Sequence, residues 1–325
     1  MKNKKLWLLL SLGCILSGSF FLLTGTLLGG IPGFYLDRTG VHTSREAYEQ
    51  KETVIQDTLE PEAFDSMELD ISYAEHVELI PSDRYAVEYR LIGFSEGPAC
   101  RVDNGRLHFE ETPSALSGEF RIWFLYGGTQ SGYAREPGPY YVKIEYPADQ
   151  SFTDAVIRME SGDLKLPSLQ ADTLKIRNDY GDITLEGYDG TALEIHMSSG
   201  DLSLGSVAAQ QTEIRNEYGE VLIGQVSGDR LTAELSSGSL LADLLDVTNL
   251  KVENEYGTVR VRLPEALPEY EYRLQTEYGS ILLDGKKLTN SEEDEDEISY
   301  TSSGSNGRTV GISCESGDII VDPAL

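Results

Sequence analysis

Asp163, Asp182, Asp201 and Glu220 stand 19 residues apart, each directly after a glycine. In a chain that coils with that period, the four carboxylates share one edge. Like charges so close repel one another. A bound cation would relieve the repulsion. So would solvation, or hydrogen bonds from the amides of the turns they sit in. These four are the candidate metal ligands of the chain, and the plainer expectation is that they hold no metal. No cofactor is expected.

The other chemistry-bearing residues are sparse. His42, His76, His108 and His196 lack metal-ligand spacing. Nucleophile-elbow, Walker and dinucleotide-binding motifs are missing from the sequence. A polysaccharide-cleaving solenoid is the enzymatic alternative, but no Arg or Lys recurs beside the carboxylate column. The charge also opposes it. With 55 Asp and Glu against 26 Lys and Arg, the net charge is −29. Such a surface repels nucleic acid and polyanions, and attracts basic partners. The chain is therefore expected not to be an enzyme and not to bind nucleic acid. Cys100 and Cys314 are too isolated for a disulfide framework and read as structural thiols.

The elements that would position the carboxylates follow from an internal repeat. A Ser-Gly or Tyr-Gly pair, one polar residue and then apolar-x-apolar recur along the chain. The turn glycines are Gly162, Gly181, Gly200, Gly219, Gly238 and Gly257, every interval being 19 residues. Gly279 comes 22 later, which implies an insertion near Pro264–Tyr270, and Gly317 comes 38 after that. The second interval implies a coil that is degenerate or replaced by a loop. Glycine at each turn implies φ > 0. Aliphatic columns run in step, one from Leu164 through Ile183, Leu202 and Val221, another from Leu166, and a third from Ile176. One coil cannot close a core, but stacked coils can, because each column becomes continuous. The expected fold is all-β, a β-solenoid of about 19-residue coils with two short strands each. An antiparallel meander is its rival.

A period of 38 overlies the first. The residue before the glycine alternates Ser161, Tyr180, Ser199, Tyr218, Ser237, Tyr256. Two residues earlier, Asn178, Asn216 and Asn254 alternate with Met197 and Leu235. Ring size explains the first alternation, since tyrosines on adjacent coils would crowd. Stacking on a ligand is the other role open to them.

Outside the repeat, Lys2, Lys4 and Lys5 precede a run from Leu6 to Leu36 without a charged residue. Its apolar heart, Leu6–Leu28, would make a helix of about 34 Å, enough to cross a bilayer core. The lysines favour a cytoplasmic N-terminus with the rest of the chain outside. A cleaved signal peptide or a lipidated Cys14 are the alternatives. Residues 1–38 carry a net +3, so the remainder carries −32. The expected organisation is a cytoplasmic start and spanning helix at 1–36, a linker at 37–60 with a helical turn or two near Ser44–Gln56, a β-rich cap region at 61–150, and the solenoid at 151–325 with an acidic insert at about 286–308. Within the cap region, alternation marks strands at Met67–Ile71, Val77–Leu79, Val87–Leu91 and Tyr140–Tyr146, and Gly127–Pro139 reads as an exposed loop.

SGDL at Ser161–Leu164, YGDI at Tyr180–Ile183, SSGDL at Ser198–Leu202, EYGEV at Glu217–Val221, ESGDI at Glu315–Ile319 and the opening ELDISYAEHVEL at Glu68–Leu79 resemble the bacterial extracytoplasmic β-strand-repeat family labelled "putative adhesin", a domain of unknown function. The resemblance covers about 260 residues. It implies a single-pass, membrane-anchored surface module with a protein or glycan ligand, and carries no active site. A regulatory or envelope-stress scaffold or sensor is the alternative.

Overall fold

Five strands of 17 or 18 residues follow one another: Asp163–Tyr180, Ile183–Ser199, Leu202–Tyr218, Val221–Ser237 and Leu240–Tyr256. Each pairs in parallel with the next at an offset of 19 residues, so Leu164, Ile183, Leu202, Val221 and Leu240 form one file. The pairing is parallel and coil on coil, which settles the choice between solenoid and meander. The computed structural model describes residues 17–21, 24, 34–37, 40–43, 53–93, 97–111, 122–124, 138–288 and 297–324.

Each coil differs from expectation in one respect. It carries three paired segments instead of two short strands. In the first coil the ladder skips Pro167 and Asp172, and in the second Glu186 and Thr191. The buried positions explain why. They run 164, 166, 169, 171, 174, 176, 178, with a three-residue step at each skipped position. A period-2 pattern slips by one there, and the strand turns a corner. The middle segment adds an inward file of Leu169, Tyr188, Val207, Val226 and Leu245, all buried.

Both ends of the stack depart from chain order. After Leu263 a short 3-10 turn at Leu267–Glu269 occupies the expected insertion. Glu271–Tyr278 and Ile281–Leu283 then form the outermost coil of that end. The final strands, Thr309–Ser316 and Ile319–Pro323, slide in between. Val310 faces Leu250 on one side and Tyr272 on the other. Ile319 faces Val259 and Ile281. The long gap between Gly279 and Gly317 is thus neither a degenerate coil nor a loop replacing one. It is a coil folded back. The opposite end repeats the device. Ser66–Ile71 and His76–Ser82 lie between the coil of Phe152–Met159 on one side and the pair Arg106–Glu110 and Tyr141–Pro147 on the other. The 61–150 region therefore supplies coils of the stack.

Antiparallel strands close the outer edges. Ala99–Asp103 lies on Arg106–Glu110, and Lys286–Leu288 on Ile281–Leu283. Their turns, Asn104–Gly105 and Asp284–Gly285, have positive φ at both residues, the geometry of a two-residue hairpin. Ile298–Ser302 pairs antiparallel with Glu271–Tyr278, and Ala86–Gly93 with Tyr141–Pro147. Such strands cover edges that would otherwise recruit other chains.

The chain divides into two compact units. The stack belongs to Ile55–Leu91, Gly97–Thr112 and Pro139–Leu325. The other unit, Met1–Val54 with Ile92–Glu96 and Pro113–Gly138, holds a three-stranded antiparallel sheet, Phe34–Asp37 between Gly40–Thr43 and Ile122–Phe124. In the expected linker, Thr53–Leu59 is a strand where its first residues were expected to be helical; residues 44–52 lie outside the described residues, as do Cys14, 127–137 of the loop and 289–296 of the acidic insert. Ser17–Phe21 and Thr24 are helical, and the rest of Leu6–Leu28 is also outside. Among the described residues no helix is long and apolar enough to cross a membrane.

Candidate functional site

The turn edge collects the residues singled out in the sequence. Asp163, Asp182, Asp201 and Glu220 do fall on successive coils. One oxygen of each aspartate is engaged by backbone. Asp163 Oδ1 accepts the amide of Asp182 at 3.1 Å, Asp182 Oδ1 that of Asp201 at 2.9 Å, and Asp201 Oδ1 that of Glu220 at 2.8 Å. Asp318 does the same for Ser280 at 2.8 Å. The turns leave these amides outside the regular ladder, and each side chain satisfies the amide of the coil above it. Among the described residues no group of three or more His, Cys, Asp or Glu is arranged to hold a metal ion.

Gly162, Gly181, Gly200, Gly219, Gly238, Gly257 and Gly317 have positive φ, as the repeat implies. Gly279 does not. Its glycine is needed for a different reason: a Cβ there would stand 2.0 Å from the carbonyl oxygen of Gly317.

The alternation of period 38 resolves into a two-coil unit. Asn178, Asn216 and Asn254 are buried and donate from Nδ2 to the carbonyls of Gly162, Gly200 and Gly238, at 3.0, 3.1 and 3.0 Å. Each donor sits on a Tyr-Gly coil and each acceptor on the neighbouring Ser-Gly coil. Thr276 takes the same part for Gly317 at 2.9 Å. The apolar partners in that file are Met197, Leu235 and Cys314, all buried. Burial pushes the Cys314 thiol up to about 12, as befits a structural thiol. Because the last strand is folded back, Tyr256, Ser316 and Tyr278 are successive in space. The alternation therefore continues unbroken from Ser161 to Tyr278.

The tyrosines themselves are on the outside. Tyr180, Tyr218, Tyr256 and Tyr278 are 57–65% exposed. Crowding explains why they alternate with serine, but not why tyrosine stands there at all. The serine coils show that the fold does without it. Each ring follows a carboxylate: Asp179, Glu217, Glu255 and Glu277. Asp179, Glu217, Glu255 and Glu315 line a groove together with Arg177, Arg215, Glu234 and Glu253, and Arg177 Nε meets Asp179 Oδ1 at 3.3 Å. Ion pairs within and between coils tie this face. Lys175 meets Glu194 at 2.8 Å, and Arg215 meets Glu213 and Glu234 at 2.9 and 3.1 Å. The Lys175 ammonium holds the Glu194 carboxyl below its usual range. Glu217, Glu255 and Glu315 have no such partner among the described ion pairs.

Glu111 was not anticipated. The Glu111 carboxylate accepts the amides of Ser72, Tyr73 and Ala74 at 2.9, 2.8 and 3.3 Å through Oε2. Burial nonetheless raises its pKa, against the pull of those three bonds. Glu111 follows another acid, Glu110, at the end of a strand, and that pair gives no sequence signal of this role.

A family model described as Toastrack DUF4097 matches residues 65–322. Among solved structures, the chain is similar to a "putative adhesin" from Parabacteroides merdae, at 10% identity over 83% of this chain and 96% of that one, with a TM-score of 0.46. It is also similar to a "putative adhesin" from Bacteroides fragilis, at 14% identity over 65% of this chain and 98% of that one, with a TM-score of 0.40. No curated protein matches it.

Proposed function

The chain belongs to the Toastrack DUF4097 family, and from that premise we infer that it is a non-catalytic β-repeat binding scaffold, held on the outer side of the cytoplasmic membrane by its N-terminal segment. The observation that carries the reading is the exposed file of Tyr180, Tyr218, Tyr256 and Tyr278 on a stack whose alternate coils manage with serine. Large aromatics left in solvent at regular intervals are characteristic of recognition surfaces. The carboxylate column supports binding over hydrolysis, since one oxygen of Asp163, Asp182 and Asp201 is each held by a backbone amide. The three N-terminal lysines and the uncharged run after them support the anchored topology.

Two measurements test it. Protease added to intact cells should digest the repeat domain and spare the extreme N-terminus; a soluble full-length cytoplasmic protein would contradict the topology. Purified full chain should bind isolated cell envelope, and Tyr218→Ser with Tyr256→Ser should abolish that binding without lowering Tm. Binding indifferent to both substitutions would remove the tyrosine file from the site.

A further inference from the structure

The period of the tyrosine file selects the shape of what lies along it. Successive tyrosines are two coils apart. At about 4.8 Å per ladder step, that is about 9.6 Å. The interval is uniform from Tyr180 to Tyr278, because Ser199, Ser237 and Ser316 each occupy one coil between rings. The four rings therefore span about 29 Å along the stack.

Three regular peptide conformations can be laid against this ruler. A β-strand turns the same face to the row every two residues, about 6.8 Å, and misses the second ring. Two turns of α-helix advance about 10.8 Å, so the mismatch grows to about 4 Å over three intervals. Polyproline II has three residues per turn and about 3.1 Å per residue, hence about 9.3 Å per turn. Its mismatch stays at about 0.9 Å over the whole row. A polyproline II chain thus presents every third residue to successive tyrosines. Proline rings pack on aromatic faces in this way, and the preformed conformation keeps the ordering entropy low.

Charge sets the remaining residues. Asp179, Glu217, Glu255 and Glu277 immediately precede the four rings. Glu315 lines the groove on an intervening coil, and the whole chain is at −29. A cation beside a tyrosine face gains from the ring and from a neighbouring carboxylate together.

We propose that the edge formed by Tyr180, Tyr218, Tyr256 and Tyr278 docks a basic, proline-rich peptide segment in the polyproline II conformation. Every third residue sits on a ring, and lysine or arginine side chains reach the carboxylates of the groove. The proposal rests on the binding-scaffold reading and names its partner class.

The test uses the purified full chain and labelled peptides of about twelve residues, four turns of polyproline II. The first repeats Pro-Pro-Lys, the second Gly-Gly-Lys with the same charge, and the third Pro-Pro-Glu. Anisotropy titration should show the first binding at least tenfold more tightly than the second, with the third not binding. Added salt should weaken the first. Tyr218→Ser with Tyr256→Ser should cost a further tenfold at unchanged Tm, since serine already stands at this position on alternate coils. Equal affinity for the two lysine peptides would reduce the contact to unspecific charge and overturn the proposal. So would binding unaffected by the serine substitutions, or tyrosine-dependent binding of a neutral β-linked glucan with none of the peptides. If no peptide binds while envelope binding still depends on the tyrosines, the partner class fails and the scaffold reading stands. If envelope binding is also indifferent to them, both fail.

Discussion

Gly219→Ala isolates the force that makes the turn residue glycine. Gly219 has φ +135°, and a Cβ there would lie 2.0 Å from the carbonyl oxygen of Gly200, where real Cβ atoms keep at least 3.0 Å. The two coils must therefore part by about 1 Å at this edge. Four hydrogen bonds cross that gap: Gly200 N to Tyr218 O, Leu202 N to Glu220 O, Glu220 N to Asp201 Oδ1, and Asn216 Nδ2 to Gly200 O. At about 1 kcal/mol each, their loss costs about 4 kcal/mol. The left-handed backbone adds about 1–2 kcal/mol for an alanine. The expected total is about 5 kcal/mol, a large part of the ~5–15 kcal/mol that holds a protein folded. Gly285→Ala is the control. Gly285 also has positive φ, +69°, but nothing lies within 4 Å of its added Cβ. It should lose only the backbone term, about 1–2 kcal/mol. Urea unfolding monitored by circular dichroism reads both. If the two variants lie within about 1 kcal/mol of each other, the stacking clash is not what requires glycine.

Leu202→Asp places a carboxylate at a fully buried site between Ile183 and Val221; it should cost several kcal/mol and melt neighbouring coils together, and a wild-type Tm would disprove the inward assignment. Asp182→Asn keeps an oxygen for the Asp201 amide, so Tm should barely change. Millimolar calcium should act on wild type only as matched sodium does, and a calcium-specific rise in Tm that the variant abolishes would make the column a metal site. Glu111 holds its proton more tightly folded than unfolded. The stability it contributes is complete below its ordinary pKa of 4.5 and is lost as pH rises through the folded value. Wild type should therefore lose stability relative to Glu111→Gln above about pH 4.5, by at most ~1.4 kcal/mol per pH unit, and a pH-independent difference would contradict the assignment.

The coil period and three inward files were legible because glycine, aliphatic and polar positions recur at one fixed interval. The middle segment was not. Its inward file mixes Leu169, Tyr188 and Val207, and the companion file is small, with Ala171, Gly190 and Ala209. The three-residue steps that flank it erase the alternation. The fold-back at the C-terminal end had a signal that chain order hid. Tyr256 is followed by Tyr278 and then Ser316, which breaks the alternation along the sequence. Exchanging the last two coils restores it, and Asn254, Cys314 and Thr276 fall into order by the same exchange. The carboxylate column was legible as a column. Amide bonds were one of the alternatives the sequence left open for it, and which amides are met, those of the next coil, follows only from the stacking. The exposure of the tyrosines was likewise hidden, since ring crowding predicts spacing whether the rings point in or out.

The folded-back ends bear on how the molecule carries tension. In a stack wound in simple order, a pull on either end would peel one strand from one neighbour, a bond at a time. Here Ile319–Pro323 is gripped by Val259–Leu263 on one flank and Ile281–Leu283 on the other. Ser66–Ile71 is gripped likewise by Arg106–Glu110 and Phe152–Met159. Drawing either strand out must shear two ladders at once, and the load spreads into coils that the strand itself does not form. Force applied at the C-terminal end of the stack is therefore resisted from its first increment.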